Sequence, residues 1–216
     1  MQENRLVQII TEEVMRQLNI QNADKELRIP VGVSVRHIHL CEKVLARLFG
    51  ENYELVKQKD LQPGEFASTA TVTLVGPKMR ALEKVRVMGP LRSYTQVEIS
   101  RTDAIYLGVE PPVRVSGDIE DSASLTVVGP EGSVKLNGGV IIAQRHIHMP
   151  PDIARQYGLS DKQTVSLSVD GFRALDFHNV LVRVIANSAL ELHIDSDEAN
   201  AAGLLNKSAV KLLLKR

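Results

Sequence analysis

The sequence predicts a mainly β fold of two related domains, each a small barrel or sandwich with short helices, preceded by an N-terminal amphipathic helix. Three observations carry this expectation. Beyond residue 28 the chain runs in short stretches of Val, Ile, Leu and Thr broken by Gly and Pro, such as IPVGVSV, TATVTLVG, TQVEIS, GGVIIA and LELHID. This is the pattern of short strands joined by turns. Two helical patches interrupt them, CEKVLARLFG and PPDIARQYG, the second with Pro151 and Asp152 suited to a helix start. The third observation is an internal repeat: VSVRHIHL at 33–40 returns as IAQRHIHM at 142–149, and a helical patch follows each copy.

The repeat extends further. VEISRTDAIYLG at 97–108 matches LHIDSDEANAAG at 192–203 in its apolar alternation, an acidic position (Asp103, Glu198), an alanine (Ala104, Ala199) and a closing glycine (Gly108, Gly203). That alignment sets Glu98 opposite His193 and Arg92 opposite Asn187.

Residues 4–18 place Val7, Ile10, Val14 and Leu18 on one face, which predicts an amphipathic helix of about four turns. The polar stretch 21–26 reads as a linker, so this helix either docks on a partner or packs on its own domain or within a dimer.

Composition narrows the function. The 216 residues balance 26 basic against 26 acidic side chains, and aromatics make up only 4% with no Trp, so nucleic acid is not an expected partner. With 44% apolar and 24% charged residues the chain is ordinary globular protein. No apolar run reaches the roughly 18 residues of a membrane span and no secretory signal is visible, so no membrane partner and an intracellular location are expected. Cys41 is the single cysteine, so neither an internal disulfide nor a thiolate zinc cluster is available. Any metal must be held by His and carboxylates.

Four of the six histidines lie in the two Arg-His-Ile-His motifs. Residues i and i+2 of a strand project from one face, so His37 with His39, and His146 with His148, can each bring two imidazoles to one metal. The repeat supplies third donors: Glu98 in the first half and His193 in the second. Three protein donors leave coordination positions open, as in catalytic rather than structural zinc sites. Zinc suits the three-histidine set, whereas the carboxylate-bearing set also accepts cobalt, manganese or iron.

Other polar residues carry weaker signals. His178 follows the acidic, aromatic LDF and reads as a surface residue or a support to a site. Cys41 is a nucleophile only if its thiolate is stabilised, and Pro150 holds the equivalent place in the second copy, so the thiol is not part of the repeated design. Arg92 stands before the Glu98 strand, where it is either a solvated charge or a fork for an oxyanion such as phosphate. Arg36 and Arg145 either bind anions or satisfy backbone carbonyls.

VGVSVRHIHL, LRSYTQVEISRTDA, RHIHMPPDIARQYGLSD and ELHIDSDEANAAG together resemble the phosphate propanoyltransferases of the propanediol-utilisation type, the microcompartment-associated phosphotransacylases. The resemblance implies two small β-barrel domains, with 36–143 forming the first barrel and 28–35 plus 144–216 the second, after a targeting helix at 1–20 and a linker at 21–27. It implies two divalent metals, one held by His37, His39 and Glu98 and one by His146, His148 and His193, with Arg92 binding phosphate. The implied reaction exchanges an acyl group, propanoyl or acetyl, between coenzyme A and phosphate. The implied setting is the lumen of a bacterial microcompartment, with shell or cargo proteins contacted through residues 1–20 and a homo-oligomer, a dimer, as the working unit. Two other classes use the same residues: a dinuclear metallohydrolase, which usually needs a bridging carboxylate where the repeat offers only Glu98, and a non-catalytic, metal-stabilised interaction module.

Overall fold

The computed structural model describes residues 26–213, together with Val14 as an isolated helical position. The targeting helix expected at 1–20 and most of the 21–27 linker lie outside the described residues, Val14 apart. In chain order the elements are β1 (Arg28–Ser34), β2 (His37–His39), α1 (Glu42–Phe49), β3 (Lys57–Asp60), β4 (Phe66–Val75), β5 (Ala81–Gly89), β6 (Gln96–Glu98), α2 (Arg101–Leu107), β7 (Val113–Arg114), β8 (Ala123–Val128) and β9 (Ser133–Ala143). The second half continues with β10 (His146–Met149), α3 (Pro151–Gln156), β11 (Thr164–Val169), β12 (Leu175–Val184), β13 (Glu191–Asp195), α4 (Ser196–Ala202) and β14 (Ala209–Leu213).

These strands close two barrels. The first runs β4-β5-β2-β6-β9-β8 and returns to β4, with β3 added on β4 and β7 on β9. The second runs β11-β12-β10-β13-β1-β14. The pairing sense matches position by position. β2 lies parallel to β5 and antiparallel to β6, as β10 lies parallel to β12 and antiparallel to β13. β6 pairs parallel with β9, as β13 does with β1.

The correspondence reveals an exchange. β1 directly precedes the first Arg-His-Ile-His motif yet closes the second barrel, while β9 directly precedes the second motif yet closes the first. At Val35–Arg36 and again at Gln144–Arg145 the chain therefore passes from one barrel to the other, and both motifs sit at the crossings. Glu26 and Leu27, the end of the expected linker, are already tied in. Leu27 packs on the second core and accepts a hydrogen bond from the Leu212 amide at 3.0 Å, and Glu26 pairs with Arg28 and Lys211.

Each barrel has its own apolar core, in which alternate strand residues point inward. Ile38 and Val97 are fully buried in the first, Ile147 and Leu192 in the second. Because the strand period is two, burying Ile38 turns His37 and His39 to the outside of their barrel, and burying Ile147 does the same for His146 and His148. All four histidines are nonetheless buried.

The helices after β6 and β13 repeat one local design. Ser100 and Asp195 are N-caps that accept from the amides of Asp103 and Glu198, whose carboxylates bond back to the cap amides. Both helices end on a glycine with left-handed backbone, Gly108 at φ 76° and Gly203 at φ 67°.

Candidate active site

Strand pairing builds the two donor sets. His37 stands directly opposite Glu98 across β2–β6, and His146 opposite His193 across β10–β13. In each set the donor atoms of the three side chains lie within 4.8 Å of one another. His37 Nε2 is 3.5 Å from Glu98 Oε2, and the Nε2 atoms of His146 and His148 are 3.0 Å apart. The structure thus brings together all six residues that the repeat singled out.

Backbone carbonyls orient two of the rings. His37 Nδ1 donates to Val35 O at 2.9 Å and His146 Nδ1 to Gln144 O at 2.8 Å, which turns each Nε2 toward its set. The accepting carbonyls belong to the two crossings, so the chain exchange itself aims the imidazoles. Burial then keeps imidazoles uncharged. It drives His39 down to about 3, helped by His37 and Arg92. It drives His148 down to about 3, helped by His193 and His146. His146 falls to about 4, again chiefly through burial. Burial pushes the Glu98 carboxyl up, but the neighbouring His37 and a hydrogen bond from Ser116 outweigh it and hold Glu98 below its ordinary value.

These are the protonation states a divalent cation needs from its donors. His39 Nδ1 is a buried polar atom with no hydrogen-bond partner among the described residues, and such an orphan is costly unless something else satisfies it. The donor chemistry and the convergence fit a divalent metal in each set, and the orphaned nitrogen adds to the fit of the first. Glu98 and His146 lie close enough to feel each other's charge, so the two sets are near neighbours.

Arg92 lies beside the first set. Its backbone amide is anchored on Leu40 O at 2.9 Å. Its guanidinium donates to Ser116 Oγ at 3.3 Å and pairs with Glu65 at 3.4 Å. Ser116 in turn donates to Glu98 Oε1 at 2.7 Å, so one hydroxyl links the arginine to the carboxylate. Arg36 and Arg145 hold carboxylates instead: Arg36 pairs with Asp103 at 2.7 Å and Arg145 with Glu198 at 2.6 Å, and Arg145 also donates to the His178 carbonyl. The exposed His178 side chain bonds Ser166 at 2.8 Å. Cys41 Sγ has the Thr95 hydroxyl as its polar neighbour at 3.4 Å, with no base to activate it among the described residues.

The family profile for phosphate propanoyltransferase matches residues 30–205. A phosphate propanoyltransferase of Thermotoga maritima is 53% identical over 200 residues, 91% of this chain and 95% of its own length. One from Lachnoclostridium phytofermentans is 48% identical over 212 residues, 98% and 100% of the two lengths. One from Priestia megaterium is 49% identical over 208 residues, 96% and 94%. The chain belongs to the phosphate propanoyltransferase family. As a phosphate propanoyltransferase family member it is an enzyme of the acyltransferase class.

In this phosphate propanoyltransferase family chain the sites contain residues that motif reading passed over. Gln96 donates to Glu98 at 2.6 Å and to Ser116 at 2.9 Å. Glu191 meets His193 Nε2 at 2.7 Å and receives the Gln62 amide at 2.8 Å. Gln96 and Glu191 each precede a donor by two residues, the same period-two signal that exposed the His pairs. Ser116 and Gln62 come from connections between strands and have no local signal. Glu191 is a second carboxylate beside the histidines, outside both three-donor sets.

Proposed function

We propose that the protein transfers a short-chain acyl group, propanoyl or acetyl, between coenzyme A and orthophosphate, with one divalent metal, zinc, held by His37, His39 and Glu98 and a second by His146, His148 and His193. What carries this reading is the convergence of both donor sets and Arg92 on one region between the barrels, in a chain of this family. When bound, the metals supply Lewis acidity for the thioester carbonyl and a centre that tolerates the departing sulfur.

The chain's own residues do the rest. Arg92 presents a planar fork that suits two phosphate oxygens, and its anchored backbone and Ser116 fix where that fork points. Arg183, whose charge reaches His146 and His148, adds positive potential on the other side. One phosphate oxygen forms the new bond to the acyl carbon as the carbon–sulfur bond breaks, giving acyl phosphate, and the sulfur leaves as coenzyme A thiolate. Holding both reactants in one cleft makes this attack unimolecular, worth about 7 kcal/mol or more. No acyl-enzyme is needed, since Cys41 has no activating base among the described residues.

Free coenzyme A should appear from acyl-CoA only when phosphate is present, and only in protein carrying about two metals per chain. His146→Ala and His193→Ala should each lose metal and turnover together. Phosphate-independent release of coenzyme A would instead assign a hydrolase, and full activity in protein shown metal-free by elemental analysis would remove the metals from the reaction. Acetyl and propanoyl differ by one methylene, which a pocket discriminates by about 1–3 kcal/mol, so the kcat/KM ratio for the two thioesters sets the preference. Residues 1–20 serve as the segment that brings this enzyme into a protein-shelled microcompartment, a reading supported by their amphipathic pattern ahead of a polar linker. A dimer is the working unit of this reading.

A further inference from the structure

The three donors of the second set are not oriented alike. His146 is aimed by a backbone carbonyl of its own crossing, but the ring of His193 is held at Nε2 by a side chain, Glu191, at 2.7 Å, which leaves Nδ1 as the nitrogen it can offer a metal. A glutamate has three rotatable bonds and holds a ring in place only if it is itself held. Gln62 holds it. This residue belongs to the first barrel, in the turn between β3 and β4, where the Leu61 amide bonds Glu65 O and the Glu65 amide bonds Gln62 O. Its side chain crosses to the second barrel and is buried there at 7% exposure. Both ends of its amide are used: Nε2 donates to Glu191 Oε2 at 2.8 Å, and Oε1 accepts from the Ala189 amide at 3.0 Å. On the opposite side Gly32 makes room, since a Cβ there would stand 2.8 Å from the Glu191 carboxyl carbon.

We infer that Gln62 is a positioning residue for the three-histidine metal set: acting from the first barrel through Glu191, it fixes the ring of His193 and so ties the geometry of the second set to the seating of one barrel on the other. The inference rests on the reading that this set holds a metal. Partners that orient a metal-binding imidazole characteristically contribute 10- to 100-fold in metal affinity. A glutamine suits the task because it donates to the carboxylate and accepts from a backbone amide at once, which neither a carboxylate nor an apolar side chain can do.

The test is zinc affinity, measured by chelator competition on full-length protein in a His37→Ala background, where the first set is disabled. Gln62→Met keeps the length and loses both hydrogen bonds; zinc should bind about tenfold more weakly than to the His37→Ala parent. Glu191→Gln should cost a similar factor. The two changes together should cost no more than either alone, because they interrupt one chain of contacts. Should Gln62→Met fail to fold, Gln62→Glu sets a like charge against Glu191 and should weaken zinc at least as much. Unchanged zinc affinity in a folded Gln62 variant, or losses that multiply in the double variant, overturns the inference while leaving the metal reading intact. A His37→Ala parent that binds no zinc at all overturns both.

Discussion

Arg36 grips Asp103 at both carboxylate oxygens, Nε to Oδ2 at 2.8 Å and Nη2 to Oδ1 at 2.7 Å. Asp103 is buried and is the same residue that closes the capping box of α2. The hydrogen bond to Asp103 raises the already high basicity of Arg36, burial opposing it only in part. Arg145 holds Glu198 in the second barrel through one contact, Nη1 to Oε1 at 2.6 Å, while its Nε donates to the His178 carbonyl. The arginine of each Arg-His-Ile-His motif thus fastens the start of the histidine strand to the helix that follows the strand of the third donor.

Replacing Arg36 by Ala leaves the Asp103 carboxylate buried without its cation. Arg36 is itself 37% exposed, so solvent moderates the loss, and a destabilisation of about 2 kcal/mol is expected in urea unfolding. The KM for phosphate should stay unchanged. A raised phosphate KM with undiminished stability would assign Arg36 to the substrate instead.

Arg92→Ala should raise the KM for phosphate and lower kcat, with a smaller effect on acyl-CoA. Arg92→Lys should recover part of the loss, since an ammonium provides charge without the fork. Steady-state kinetics with phosphate varied at saturating acyl-CoA measures both. Phosphate kinetics that survive Arg92→Ala unaltered would take this residue out of the site.

Metal-free protein should lose stability as the solution becomes acidic. His39, His146 and His148 have folded-state values near 3, 4 and 3, pressed down mainly by burial from an unfolded value of about 6.5. A depressed group contributes stability that is complete above its unfolded value and disappears as the pH falls toward its folded one. The window is therefore pH 6.5 down to about 3, and unfolding at pH 5 should take up about three protons from these side chains. Urea midpoints of metal-free protein measured from pH 7 to 4.5 test this. A flat profile would mean that the three imidazoles are not held neutral by the fold.

Two deletions should behave oppositely. A chain beginning at residue 26 keeps β1 and should remain folded and active but no longer co-purify with microcompartment shells. A chain beginning at residue 36 loses β1, with Ile29 and Val31 fully or nearly fully buried in the second core. Each such side chain is worth about 1.5–3 kcal/mol on burial, and the gap leaves β13 and β14 each with one open edge. Circular dichroism and metal content should then report an opened second barrel. If the shorter deletion still enters shells, residues 1–20 are not the targeting segment.

The donor residues were legible in the sequence because their spacing is a statement about backbone geometry. In His-Ile-His a strand's period of two puts both imidazoles on one face and the isoleucine in the core, whatever else the protein does. The capping residues Ser100 and Asp195 and the glycines that end α2 and α4 are local in the same sense, so the repeat could align them and deliver Glu98 and His193. The partners of those donors were not legible in this way. Arg36 reaches a carboxylate 67 positions away and Gln62 one 129 positions away, and no spacing rule links such pairs.

What the sequence determined by itself was the direction of each side chain along its own strand and the pairing of the two halves by repetition. The tertiary structure decided what those side chains meet. Barrel closure, the exchange of β1 and β9 between halves and the seating of Gln62 against Glu191 arise from burying distant apolar faces together. That free energy belongs to the packed whole, and no single segment carries a record of it.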